Sequence, residues 1–302
     1  MDVEGLGEDG ILKRLFPLLP QGSYTLIGTG DDCAVVSAPG QRFAVTTDVL
    51  VEGEHFKNEW SSGFEVGARA AAQNLADVAA MGATPTALVV GLVVPANTDI
   101  KWLEDFAKGL ANECDPLGVG VVGGDLTRGP SLVVAVTAHG ALAGNPVLRS
   151  GARPGDVIAI AGTLGLSDSG LSWLLGQGGK EENVPIYKAP RPPYAAGPAA
   201  AKSGATAMMD VSDGLVRDSG RLAKASSVTM SFDSALLEPY VQASGSLKHV
   251  LYGGEDHSML ATFPADSILP DGFRLVGIVI EEGPHAVLID GAPVGGGWDH
   301  FE

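Results

Sequence analysis

Short apolar, β-branched runs alternate along this chain with longer stretches whose apolar residues recur every three or four positions. Residues 8–19 predict a short helix ending before Pro20. Residues 43–47 predict a strand running into Asp48, and residues 64–81 an alanine-rich helix that stops at Gly82, ahead of Pro85. A buried strand is expected over 86–94 and an amphipathic helix over 99–114, followed by strands over 119–122 and 132–138. Strands and helices in this order are the signature of a layered α/β domain.

Gly-Asn-Pro and Arg-Pro-Gly-Asp interrupt the pattern between residues 144 and 155, which places a boundary there and divides the chain into domains 1–145 and 146–302. The second domain opens with a strand over 157–161 and a helix over 166–175. The proline-rich stretch 185–198 reads as a surface excursion leading into a helix. A strand over 207–210, a helix over 215–225 and strands over 228–232, 259–263 and 273–280 complete a second α/β layer. The fold class is therefore α/β, of the α+β type, in two layered domains.

Five short segments carry acids after small residues: Gly28-Thr29-Gly30-Asp31-Asp32, Thr46-Thr47-Asp48, Gly123-Gly124-Asp125, Asp210-Val211-Ser212-Asp213-Gly214 and Gly253-Gly254-Glu255-Asp256. Each reads as a loop that follows an apolar run, the plan being an acid just past a strand. Any one of them could be an ordinary Asx turn. Repetition of the plan suits a site for more than one hard cation, and hard cations point to magnesium-dependent phosphoryl transfer.

Composition narrows this further. The 302 residues include 19 basic and 36 acidic ones, a net charge of −17. Such a surface repels nucleic acid, so a phosphate ligand would be met by metal ions and a few isolated cations. No apolar run approaches the ~18 residues of a membrane helix, and the acidic start lacks a signal-peptide core. With two cysteines, Cys33 and Cys114, a reducing, cytoplasmic setting is expected. Cys33 reads as a small packed residue.

The common phosphate-binding signatures are absent. Gly179-Lys180 is followed by Glu181 rather than completing a P-loop, and Gly5-x-Gly7-x-x-Gly10 has no strand before it. Asp77 lies in the alanine-rich helix, where a carboxylate must be paired, hydrogen-bonded or metal-bound. Arg69 and Asn74 share its face of the helix, and Arg69 offers a salt bridge as the alternative. Thr46, Thr47 and Asp48 crowd hydroxyl, carbonyl and carboxylate oxygens at one strand end. Arg149 and Arg153 are candidate phosphate clamps or simply solvated arginines. His55 is a substrate contact or a surface residue.

These motifs resemble those of the thiamine-monophosphate kinase family, in order and over nearly the whole chain. The resemblance is carried by Gly28-x-Gly30-Asp31-Asp32, Thr46-Thr47-Asp48-x-Leu50-Val51-x-Gly53-x-His55-Phe56, Asn74-Leu75-x-Asp77 and Gly123-Gly124-Asp125. Arg149-Ser150-Gly151, Asp210-Val211-Ser212-Asp213-Gly214, Gly253-Gly254-Glu255-Asp256 and the tail Gly297-Trp298-Asp299 continue it. It implies the two-domain fold of aminoimidazole ribonucleotide synthetase, a homodimer formed through the N-terminal domains, and phosphorylation of thiamine monophosphate by ATP. It further implies several magnesium ions held by Asp32, Thr46, Thr47, Asp48, Asp77, Asp125, Asp210 and Asp213. Gly124, Asp125, Arg149 and Ser212 would contact ATP, and His55, Glu255 and Trp298 the substrate. No covalent enzyme nucleophile is implied.

Ala76, Val78 and the pair His257-Ser258 depart from the usual pattern without removing a metal oxygen. The alternatives are another ATP-using enzyme of the same superfamily and a catalytically silent nucleotide-binding protein. Selenophosphate synthetase would be expected to carry a reactive cysteine near its N-terminus, and the first twenty residues contain none.

Overall fold

The computed structural model describes residues 11–27, 35–38 and 42–297. The chain divides into two compact units, Met1–Val78 with Thr84–Ala143, and Ala79–Ala83 with Gly144–Glu302. Among the described residues no helix is long and apolar enough to cross a membrane.

The first unit holds a small ribbon, β1 (Thr25–Ile27) with β2 (Val35–Val36), and a four-stranded sheet. That sheet consists of β3 (Phe43–Val51), β4 (Thr84–Val94), β5 (Gly120–Arg128) and β6 (Val133–Ala141), in the spatial order β3-β6-β4-β5. Strand β6 runs antiparallel to both β3 and β4, whereas β4 and β5 are parallel. Their parallel connection is made by helix α2 (Ile100–Cys114), whose first turn is capped by the Asp99 side chain accepting from the Lys101 amide at 3.0 Å. Helix α1 (Gly63–Ala80) starts at a capping box: the Ser62 amide donates to Glu65 Oε2 at 2.7 Å, and the Glu65 amide donates to Ser62 Oγ at 3.3 Å. The helices pack backbone against backbone, since a Cβ at Gly109 would stand 2.0 Å from the Phe64 carbonyl oxygen.

The second unit is a seven-stranded sheet ordered β13-β12-β9-β11-β7-β10-β8. Its strands are β7 (Val157–Ala161), β8 (Ala207–Val211), β9 (Val228–Phe232), β10 (Ser258–Phe263), β11 (Phe273–Glu281), β12 (Val287–Ile289) and β13 (Ala292–Pro293). All neighbours are antiparallel except β12 and β9. Helices α3 (Leu166–Leu174), α4 (Val184–Lys188), α5 (Ala196–Lys202), α6 (Leu215–Ser226), α7 (Ser234–Ser244) and α8 (Leu247–Tyr252) accompany it. Ile160, Met209, Leu222, Phe232 and Leu260 belong to its core.

Both units are layered α/β, as the alternating pattern leads one to expect. Three local expectations change. Strands β3 and β5 run on past the acids, so Asp48 and Asp125 lie inside strands rather than beyond them, because the ladders with β6 and β4 continue through both positions. Gly253–Asp256 follows helix α8 rather than a strand. Helix α7, with Pro239 inside it, and strands β12 and β13 are additions to the expected elements. The predicted helix is observed from residue 11 onward, and residues 8–10 lie outside the described residues.

Candidate functional site

In the first unit, strand β3 presents Thr46 and Asp48 on one face by its two-residue period, and helix α1 presents Asn74 and Asp77 one turn apart. Thr46 Oγ1 donates to Asp77 Oδ2 at 2.7 Å, and the Asp48 amide donates to Asn74 Oδ1 at 3.1 Å. The strand–helix seam thus collects two carboxylates, a hydroxyl and an amide oxygen, with Asn74 held by its own donation to the Ala70 carbonyl at 2.9 Å. Thr47 occupies the opposite face, where its hydroxyl donates to the Val136 carbonyl and accepts from Thr137 Oγ1. Its side chain is therefore not among the seam oxygens.

Asp125 is exposed on β5, at the far edge of the same sheet, and pairs across the ladder with Gly91. Gly124 beside it has no room for a side chain, since a Cβ would meet the Val90 carbonyl oxygen at 2.0 Å. A cavity of about 480 Å³ opens next to Gly123 and Gly124, bordered by Val36, Phe43, Val89 and His139. Burial holds the His139 imidazole below its ordinary value. The Val51 amide donates to His55 Nδ1 at 3.1 Å. An amide hydrogen can only be met by an unprotonated nitrogen, so the His55 ring proton sits on Nε2, which makes that atom a donor.

In the second unit, Asp210 lies one residue before the end of strand β8, buried, with His257 Nδ1 3.1 Å from its Oδ2. Ser212 and Asp213 form the turn into α6, and both amides donate to Asp218 Oδ2, at 3.0 and 2.8 Å. Arg221 bridges Asp213 and Asp218 at 2.6 and 2.7 Å, with Arg217 3.8 Å from Asp213. Asp213 is thus already in an ion pair. Asp218 was absent from the sequence-derived set, although a carboxylate in the first turn of a helix behind a Ser-Asp-Gly turn is a readable capping signal. Arg149 and Arg153 are exposed, and the loop carrying them is pinned by Ser226, whose hydroxyl donates to the Arg149 carbonyl and accepts from the Gly151 and Ala152 amides. Glu255 is half-buried in the loop after α8.

Asp32, Cys33 and Trp298 lie outside the described residues. Cys114 is buried in α2, where burial pushes its thiol well up. Among the described residues no three His, Cys, Asp or Glu side chains gather as a metal cluster. The seam around Thr46, Asp48, Asn74 and Asp77 fits magnesium in kind, because every donor is a hard oxygen.

Two family models match, AIR synthase related protein N-terminal domain over residues 30–142 and its C-terminal domain over 153–268. The thiamine-monophosphate kinase of Mycobacterium tuberculosis is 42% identical, the match covering 99% of this chain and 93% of the relative. That of Escherichia coli K12 is 35% identical, covering 85% and 83% respectively. Among solved structures, AaThiL complexed with AMPPCP and TMP superposes with a TM-score of 0.79 at 31% identity, covering 100% of this chain and 99% of that one.

Proposed function

The chain belongs to the AIR synthase-related family and, within it, to the thiamine-monophosphate kinases, and from that premise we propose a direct transfer of the ATP γ-phosphoryl group to thiamine monophosphate. The observation that carries the reading is similarity along the whole chain to relatives of that one activity. The products are thiamine diphosphate and ADP. The substrate phosphate, ionised near neutral pH, is itself the nucleophile, so neither a covalent enzyme intermediate nor a strong general base is needed.

Residues divide the work by their chemistry. Thr46, Asp48 and Asp77 at the seam, with Asp125, supply oxygens for magnesium, and the same role is assigned to Thr47, Asp32, Asp210 and Asp213. Magnesium, when bound, screens the charge of two polyanions as they approach. The Thr47 hydroxyl is on the other face, so its assignment rests on the family resemblance alone. Gly124, Ser212 and Arg149 contact ATP, and the apolar cavity beside Gly124 suits a flat heterocycle. His55 offers a fixed Nε2–H donor to a substrate oxygen, and Glu255 and Trp298 complete the substrate contacts.

The protein acts as a homodimer through the first unit. Phe43, Val45 and Val49 leave 57, 58 and 46% of their surface exposed on the open face of the sheet, an apolar patch of the kind a partner covers. Asp48 and Asp125 lie on opposite edge strands, three strand spacings or about 14 Å apart. A second copy that sets its β5 edge beside β3 brings a second Asp125 to the strand that carries Asp48, on the face that Thr47 and Val49 share.

The deciding assay incubates the protein with ATP, magnesium and thiamine monophosphate and quantifies thiamine diphosphate. Asp77→Asn should retain the wild-type melting temperature in EDTA yet lower turnover at least ~100-fold, about 2.7 kcal/mol of transition-state stabilisation. Wild-type protein that forms no thiamine diphosphate overturns the activity, and an undiminished Asp77→Asn overturns the metal seam.

A further inference from the structure

Asp256 is 2% exposed and makes no ion pair among those described, yet its carboxylate is fully engaged. Oδ1 accepts from Thr163 Oγ1 at 2.7 Å and from the Leu166 amide at 3.2 Å, and Oδ2 accepts from the Ser167 amide at 3.4 Å. These donors are the approach to α3 and its first turn. The residues on either side of Asp256 are in left-handed backbone, Glu255 at φ 68° and His257 at φ 52°. That conformation is disfavoured for any residue with a Cβ and persists only where the surroundings impose it.

The surroundings here are identifiable. The Glu255 amide donates to the Ser212 carbonyl at 2.8 Å and the His257 amide to the Val211 carbonyl at 3.0 Å. Gly254 lies so close to this segment that a Cβ would meet the Ser212 carbonyl oxygen at 2.2 Å. The chain therefore reaches α3 through the Asp256 side chain and the end of β8 through the amides flanking it. Left-handed backbone at 255 and 257 is the geometry that does both.

We propose that Asp256 is a positioning residue: its grip on Thr163 and the α3 amides holds Glu255 in strained backbone against the Val211–Ser212 segment, ready for the substrate. This rests on the reading of Glu255 as a substrate contact. Asp256 itself touches no reacting atom. Its partner Thr163 belongs to the same device.

Two readouts test it on the full chain. In the first, Glu255→Gly is compared with Glu255→Ala, so that only the backbone preference differs. The glycine variant should melt about 2–4 °C above the alanine variant, and the difference should largely vanish when both are made in Asp256→Asn, because the loop is then free to relax. Thr163→Val provides the same background should Asp256→Asn fold poorly. In the second, Asp256→Asn and Glu255→Gln should each raise the Michaelis constant for thiamine monophosphate about tenfold while that for ATP changes by less than about threefold. An equal glycine advantage in all backgrounds overturns the proposal, as does a normal Michaelis constant in Asp256→Asn alongside a raised one in Glu255→Gln. If the melting-temperature coupling holds but Glu255→Gln binds substrate normally, the premise about Glu255 fails and the purpose assigned to the loop goes with it.

Discussion

Asp256 and Asp218 are carboxylates that burial drives towards their neutral form. Burial raises the Asp256 carboxyl to about 6, outweighing the hydrogen bonds from Thr163 and the α3 amides, which act in the other direction. Burial likewise raises Asp218 to about 7, with Asp210 and Asp213 adding to it and the Asp213 amide and Arg221 opposing. A carboxyl that binds its proton more tightly in the folded state stabilises the fold fully below its unfolded value, near 4. That contribution is lost as pH rises through the folded value. In metal-free protein, wild type should therefore lose stability relative to Asp256→Asn between about pH 4 and pH 6, by on the order of 2–3 kcal/mol. Urea titrations of the two proteins across this range measure it, and parallel profiles would mean that Asp256 ionises normally.

At the scale of elements, the seam of candidate metal oxygens depends on how closely α1 is held. Helix α2 approaches α1 with backbone in contact, and Gly109 is the residue that permits it. A Cβ there would lie 2.0 Å from the Phe64 carbonyl oxygen and 2.7 Å from the Ala68 nitrogen, both main-chain atoms that cannot swing aside. Alanine improves helix propensity by about 1 kcal/mol, but overpacking against fixed backbone costs about 1–3 kcal/mol and can exceed it. Gly109→Ala should lower the melting temperature by roughly 2–8 °C and, by shifting α1 relative to β3, weaken the magnesium dependence of activity. Calorimetry with a magnesium titration checks both, and a variant as stable as wild type would show that the helices separate without penalty.

At the scale of the whole molecule, the separation of Asp48 from Asp125 makes a prediction about assembly. If each site draws Asp48 from one protomer and Asp125 from the other, two inactive variants can complement. A mixed dimer of Asp48→Asn with Asp125→Asn has one site carrying both changes and one carrying neither. Random exchange of equal amounts makes half the dimers mixed, so activity should recover to about a quarter of wild type. Recovery that stays at the level of the separate variants would place both acids in one protomer's site.

Much of the fold was legible along the chain, for particular reasons. Strand β9 and strand β7 are short buried runs with breakers at both ends, so their limits could be read directly. Helix α7 was not, because Pro239 and a mixed apolar face obscure its period. The acids of the candidate site stood out by residue type and by their small neighbours, and the order of motifs pointed to one family. Where each side chain lies was another matter. Strand alternation sends Thr47 to the face opposite Thr46 and Asp48, but the length of β3, and so the reach of that alternation, is set by its ladder with β6. Asp256 acts through the Thr163 hydroxyl and the amides of α3, a distant segment brought to it by packing, which no spacing along the chain records. Residue chemistry and local period are properties of the sequence. Strand order, the distance between edge strands and the partners of a buried carboxylate arise only when separate segments pack together, and the tertiary structure decided those.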